Sequence, residues 1–428
     1  MPQITTVHNK PHSAKIQKGH VILLNLWRVV NTKGGTEKVL CEMANALNHL
    51  GYDVSIICHD EHTGKPGFHL DENIRFINAY RQPSNFFFNS NIWVKLRTFN
   101  FNKSKRRNQR TLAFLQKELN WKLKNLQEAF QKCPNPNIII CFQPEATFIV
   151  HELMQCSQPT VTMYHMTPEY FAGGFAFETF FRSSVNHSSA VQVLMPEYVP
   201  IAKQLHPDTP VVWIPNTAPK FDVPAELTPK KIINIARIAS QKRPELLVQA
   251  FALLKDRFPD WTCEWWGETH VDPKLTASVN SLIKTYGLQN RFFLKGSTDD
   301  IESKLRSSSI FAFPSSFEGQ SLSMLEAMSI GLPLVGCLDC PSVNTTIKNG
   351  RNGILTQPTA ESYAEGLAKL MVNEELRCRL GAQARIDIET FSPSRVWGTM
   401  GYFDPNIHKI TTINSLVTFF IDYQSSRI

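Results

Sequence analysis

Short apolar runs rich in Val, Ile and Phe alternate with stretches of helical periodicity along nearly the whole chain, the pattern of a parallel sheet wrapped by helices. In the first half the runs are VILLNL (21–26), DVSIIC (53–58), NIRFIN (73–78), NIIICF (137–142), TVTMY (160–164), AVQVLM (190–195) and VVWIP (211–215). The rhythm then restarts with IINIAR (232–237), WTCEWWG (261–267), RFFLKG (291–296), SIFAFP (309–314) and LPLVG (332–336). The fold class expected is α/β, as two Rossmann-like doubly wound domains. A length of 428 residues suits two such cores. The Pro-containing stretch NTAPKFDVPAELTPKK, residues 216–231, separates the halves as a linker. The expected domains are therefore 20–215 and 232–395, flanked by a polar tail at 1–19 and an extension at 396–428.

The composition, 42% apolar and 19% charged, is globular. A net charge of +8 suits phosphate-bearing partners without choosing among them. The nine cysteines are scattered, which favours reduced thiols in a cytosolic compartment. Cys337 and Cys340 form a lone C-x-x-C, read as a loop after a buried strand rather than as a metal or redox site. No apolar run reaches membrane-spanning length, and the first seventeen residues carry no apolar core of a signal peptide.

Ligands of doubly wound sheets bind beyond the carboxyl ends of the strands. Three segments there carry chemistry. Gly34 and Gly35 follow the VILLNL run and open a helix, so backbone can approach a phosphate at a helix N-terminus, although simple turn chemistry uses the same residues. Arg237 ends the IINIAR strand and Lys242 follows five residues later, before a helix starting near Pro244. This pair suits a diphosphate, or else a solvated loop. Glu318 and Glu326 lie in SSFEGQSLSMLEAMSIGLPLVG (315–336). Eight helical positions span roughly 12 Å, so the two carboxylates serve different tasks. Glu318, beyond a strand end, reaches a ligand, while Glu326 either accepts from ribose hydroxyls or closes a capping box with Ser323. Gly319 permits close approach, and the N–H groups of Gln320, Ser321 and Leu322 point into the same cleft.

In this order, with the histidine of TMYHMTPEYF and the turn Ile214, Pro215, Asn216, these motifs resemble the retaining glycosyltransferases of family four, of GT-B architecture, over about residues 20–395. EGQSLSMLEAMSIGLPLVG matches the family's E-x7-E pattern. The resemblance implies a nucleotide-sugar donor held by the C-terminal domain, UDP-linked on family frequency, and an acceptor on the N-terminal domain. It implies that Arg237 and Lys242 neutralise the diphosphate, that Glu318 contacts the donor sugar and Glu326 the ribose, and that Gly34 and Gly35 close over the phosphates. His165 would contact the sugar near the acceptor; by itself it reads as a core histidine. No cofactor or metal is implied. Where relatives read E-G-F-G this chain has Glu318, Gly319, Gln320 and Ser321, and Glu268 and Thr269 follow Gly267 where relatives often have a second glycine.

Residues 93–124 hold ten Lys or Arg and one acidic residue, interleaved with Trp93, Phe99, Phe101, Phe114 and Trp121. This composition suits an anionic membrane surface and a lipid-linked glycan acceptor at the inner face of the cytoplasmic membrane, or a solvated helical insertion. The expected activity is hexosyl or N-acetylhexosaminyl transfer in lipopolysaccharide, capsule or exopolysaccharide synthesis. The alternatives are transfer to a soluble acceptor, a GT-B nucleotide-sugar epimerase, or a non-catalytic glycan-binding protein. Nucleic acid is not expected as a partner.

Overall fold

The computed structural model describes residues 18–79, 122–172 and 177–397, together with 113, 117, 119 and 120. Two parallel sheets organise it. The first contains seven strands: β1 (His20–Asn25), β2 (Asp53–Cys58), β3 (Arg75–Asn78), β4 (Ile138–Cys141), β5 (Thr160–Tyr164), β6 (Ala190–Val193) and β7 (Val211–Trp213), in the order β3-β2-β1-β4-β5-β6-β7. The second contains β8 (Lys231–Ile235), β9 (Thr262–Trp266), β10 (Phe292–Gly296), β11 (Ile310–Phe313), β12 (Leu334–Cys337) and β13 (Gly353–Thr356), in the order β10-β9-β8-β11-β12-β13.

Every residue of β1 is buried, because helices cover both faces of a parallel sheet. Side chains alternate between those faces. Val21 and Leu23 enter one core with Leu40, Met43 and Ile56, whereas Ile22 and Leu24 enter the opposite core with Tyr164 and Val191. In each sheet the strand order reverses once, between β1 and β4 and between β8 and β11. Those two reversals are where loops splay apart and leave a crevice.

Five helices matter for the site: α1 (Gly35–His49), α2 (Tyr198–Leu205), α3 (Pro244–Leu254), α4 (Leu322–Ser329) and α5 (Glu374–Ile388). The stretch 216–231 is packed rather than free. Ala218, Ala225 and Leu227 are buried with Phe311, Met328 and Ile388, and Arg377 of α5 donates to the Leu227 carbonyl at 3.1 Å. After α5 the chain recrosses, and Val396 is buried in the core beneath the first sheet, with Trp397 packed against it. One strand escapes the sequence reading. β13, of sequence GILT, follows Gly350 and Asn352, whose turn chemistry masks a four-residue run.

Cys337 closes β12 and Cys340 precedes the short helix Pro341–Thr346. Both are buried free thiols, as fits packing roles. Among the described residues no helix is long and apolar enough to cross a membrane. The basic, aromatic stretch 93–124 lies outside the described residues, apart from 113, 117, 119, 120 and 122–124.

Candidate active site

The loops leaving β8 and β11 supply the chemistry of the second domain. Arg237 stands two residues past the end of β8 and is exposed, with no hydrogen bond or salt bridge among the described residues. Lys242 lies in the 3-10 turn Ser240–Lys242 directly before α3. Its Nζ lies 2.5 Å from Glu318 Oε1 and 5.5 Å from the centroid of Phe313. The lysine and glutamate side chains are 14% and 10% exposed, so this is a sheltered ion pair. The two loops are also tied by backbone, because the Ser316 N–H donates to the Gln241 carbonyl at 2.8 Å.

Gly267, at the end of β9, is needed by this arrangement. Its φ is +144°, and a Cβ there would overlap the Ala236 carbonyl, next to Arg237. The Ile238 N–H donates to the Glu268 carbonyl at 2.8 Å, so Glu268 sets the path of the Arg237 loop through its backbone.

Glu326 projects from α4, and the two readings of its role separate here. The residue that caps α4 is Ser321, with no side-chain cap hydrogen bond, so Ser323 and Glu326 do not form a capping box. Instead Glu326 Oε1 accepts from Lys38 Nζ at 2.6 Å, across the cleft from α1. Burial alone would lower the pKa of the Lys38 ammonium, but Glu326 and then Glu42 raise it above its ordinary value. The lysine is therefore a fixed cation paired with Glu326 across the cleft. Lys38→Met should lower the stability of the protein by ~2 kcal/mol, because a nearly buried carboxylate loses its charged donor. Glu326→Gln in the same chain should restore most of that loss, as measured by the urea midpoint of each variant.

The first domain closes the cleft with three elements. Gly34 precedes α1 in extended conformation, and the α1 N-terminus is apposed to that of α4: a Cβ on Gly35 would stand 3.6 Å from Leu322 Cδ1. Two helix N-termini thus bring positive dipole ends to one locus, and at α1 the Glu37 carboxylate folds back onto its own N–H and lies against Gly34. The loop before α1 is pinned by Asp60, whose Oδ2 accepts from the Val29 and Val30 N–H groups at 2.7 Å each. Burial would raise the Asp60 pKa, yet those bonds and two more from His62 lower it on balance. Glu37, buried on α1, has its pKa raised by burial, and Arg237 offsets part of the rise.

His165 follows β5 and stacks on Phe142 with centroids 4.9 Å apart. Burial lowers its pKa to about 4, so the ring is neutral near pH 7. Its Nε2 is buried without a partner among the described residues.

Gly319 abuts the same residue, since a Cβ there would overlap the His165 carbonyl oxygen. Tyr198, the first residue of α2, donates its hydroxyl to the Glu318 carbonyl at 2.6 Å and so holds that loop from the opposite domain. Gln320 behaves differently from a free polar lining. Its side-chain carbonyl accepts from the Asn216 N–H at 2.6 Å, while Asn216 Nδ2 donates to the Gln320 backbone carbonyl at 3.0 Å.

The structure thus brings Lys242 and Glu318 into contact and places Gly319 against His165 and Gly35 against Leu322. Arg237 and Glu326 stand apart from the Lys242–Glu318 pair. Lys38 and Tyr198 were not legible as site residues, because each meets its partner more than a hundred positions away. The one available signal was position: Lys38 follows the Gly-Gly turn and Tyr198 follows β6, both at carboxyl ends of strands.

Two parallel doubly wound domains facing across a cleft define the GT-B fold, and comparison with known proteins agrees. The O-GlcNAc transferase GtfA of pneumococcus, solved with UDP and GlcNAc, superposes with a TM-score of 0.68 at 13% identity, covering 94% of this chain and 99% of that one. Residues 217–387, which hold Arg237, Lys242, Glu318 and Glu326, match the family model described as Glycosyl transferases group 1. An uncharacterised glycosyltransferase of Haemophilus influenzae is 24% identical over 375 residues, 86% of this chain and 95% of that protein. A poly(glycerol-phosphate) alpha-glucosyltransferase of Bacillus subtilis is 29% identical over 173 residues, 40% of this chain but 25% of that relative.

Proposed function

We propose that the protein is a retaining glycosyltransferase that moves a hexose or N-acetylhexosamine from a UDP-sugar to a glycan acceptor in the synthesis of a surface polysaccharide. The observation that carries this reading is the sheltered Lys242–Glu318 pair beyond β8 and β11, together with the apposed N-termini of α1 and α4 and an exposed Arg237 within electrostatic reach of Glu37 on α1. A nucleoside diphosphate leaving group needs such a locus, where fixed cations and N–H dipoles meet the charge that develops as the glycosidic bond breaks. The match over 217–387 and the UDP held by the pneumococcal neighbour support it.

In this reading Arg237 and Lys242 bind the two phosphates, and Glu326, oriented by Lys38, accepts from the ribose hydroxyls. His165 Nε2 accepts from a hydroxyl of the donor sugar. Glu318, neutralised by Lys242, lies beside the sugar without being a free anion competing with the diphosphate. The departing phosphate takes the proton of the acceptor hydroxyl on the same face, which retains the configuration. A lipid-linked acceptor at the inner face of the cytoplasmic membrane is supported only by the charge of residues 93–124.

The test is donor turnover by the purified full chain against UDP- and GDP-sugars, with EDTA present and with or without anionic vesicles. Release of UDP from one UDP-sugar, unaffected by EDTA and giving a product of unchanged anomeric configuration, is expected. Release of GDP alone, or an inverted product, would overturn the reading. Stimulation by vesicles would support the lipid-linked acceptor, and equal rates without them would favour a soluble one.

A further inference from the structure

One residue beside the proposed diphosphate site is held in a backbone conformation that its own side chain disfavours. Arg243 directly follows Lys242 and has φ +48° and ψ +54°, in the left-handed region. A residue with a Cβ is uncommon there, because that atom crowds the following carbonyl oxygen. The next residue, Pro244, opens α3 and disfavours right-handed helical geometry at position 243. The remaining choice is an extended backbone, which would redirect the chain entering the helix. The left-handed residue is thus what folds the 3-10 turn Ser240–Lys242 back against α3, and the Arg243 N–H donates to the Ser240 carbonyl at 3.1 Å.

Such a conformation persists only where the surroundings fix it. Asp339, two residues past the end of β12, supplies the restraint. Arg243 Nη1 donates to Asp339 Oδ1 at 2.9 Å and Nη2 donates to Oδ2 at 2.5 Å. This two-bond fork fixes the direction of the guanidinium as well as its position. On the other side of Lys242, the Gln241 carbonyl accepts from both the N–H and the hydroxyl of Ser316, at 2.8 and 3.2 Å. Lys242 therefore stands between two anchors, the loop after β11 before it in the chain and the loop after β12 behind it.

We propose that Asp339 is a positioning residue for sugar transfer: by clamping Arg243 it holds the left-handed turn that aims Lys242 at Glu318 and at the donor diphosphate. This rests on the transferase reading above and adds to it a residue from a third loop of the second domain. The competing account gives the Arg243 guanidinium a direct part in binding the diphosphate. Against it, both terminal nitrogens of that guanidinium are already committed to Asp339. Glycine separates the two accounts, because it adopts the left-handed conformation at no steric cost and carries no charge. Arg243→Gly therefore removes the guanidinium and also the need for a clamp.

Two measurements on the full chain test this. The rate at which acetic anhydride modifies the Lys242 amine, read by peptide mass spectrometry, reports the shelter of that side chain without any nucleotide, and calorimetry with UDP reports the consequence. In Arg243→Ala and in Asp339→Ala, Lys242 should be acetylated about fivefold faster and UDP bound about fivefold more weakly. Arg243→Gly should stay within about twofold of the wild type in both measurements, and adding Asp339→Ala to it should change neither. Equal losses in Arg243→Gly and Arg243→Ala would overturn the proposal, since the guanidinium and not the turn would then be what matters. Unchanged Lys242 reactivity in Asp339→Ala would overturn it as well. If the acetylation pattern appears as expected while the wild type binds no UDP, the transferase reading fails and the clamp on Lys242 stands.

Discussion

Arg237→Ala should lower the rate of sugar transfer by ~10²-fold or more while leaving thermal stability nearly unchanged. The guanidinium is exposed and makes no hydrogen bond or salt bridge among the described residues, so its removal breaks no such bond and acts through its charge, which also bears on Glu37. Lys242 must behave differently. Its ammonium meets Glu318 at 2.5 Å in a sheltered pair, and Lys242→Met leaves that carboxylate without its charged donor. The single variant should therefore lose both activity, by ~10²–10³-fold, and stability, by ~3 kcal/mol. Adding Glu318→Gln removes the stranded charge, so the double variant should regain most of the stability and none of the activity. Melting temperatures and single-turnover rates on the four members of the cycle make the distinction. Transfer in Arg237→Ala within about threefold of wild type would mean that the diphosphate is held elsewhere.

The difference between those cations also explains what could be read from the chain beforehand. The strands announce themselves because a parallel strand buried on both faces must be continuously apolar, as HVILLN, DVSIIC and TVTMY are. β13 does not, because GILT begins on a glycine and follows a turn whose residues outweigh its three apolar or β-branched positions. Arg237 with Lys242, and Glu318 with Glu326, are legible because a single loop and the helix after it fix their separation. Which member pairs with which is not a local property. Lys242 meets Glu318 across 76 positions, and Glu326 turns to Lys38 across 288, since the two switch points are joined only through the assembled domains. Gln320 is the clearest case. In sequence it is a polar replacement in a sugar pocket, yet in space its side-chain carbonyl is bound to the Asn216 backbone at the crossing between the domains.

In that assembled cleft the backbones of the two domains meet at Gly319 and His165 with no side chain between them, and Gly319→Ala tests the contact. A Cβ at 319 would overlap the His165 carbonyl oxygen and press on Leu194 at 3.1 Å. Neither rotamer changes nor a shift of a flexible chain end relieves an overlap with backbone, so the loop or the whole domain must retreat. The loop is not free to retreat alone, because Tyr198 holds the Glu318 carbonyl and Asn216 holds Gln320 on either side of the glycine. The expected outcome is a separation of the domains by roughly 1 Å at the reacting locus. Displacement of that size from a near-attack geometry costs ~10²-fold in rate. UDP affinity should fall less, because Arg237, Lys242 and Glu326 all belong to the second domain and move together, and only Lys38 and the α1 N-terminus withdraw from the nucleotide. Calorimetry with UDP and turnover with the preferred UDP-sugar therefore separate the two effects. Equal losses in both would mean that Gly319 shapes the nucleotide site itself, and full activity would mean that the contact with His165 opens during the catalytic cycle.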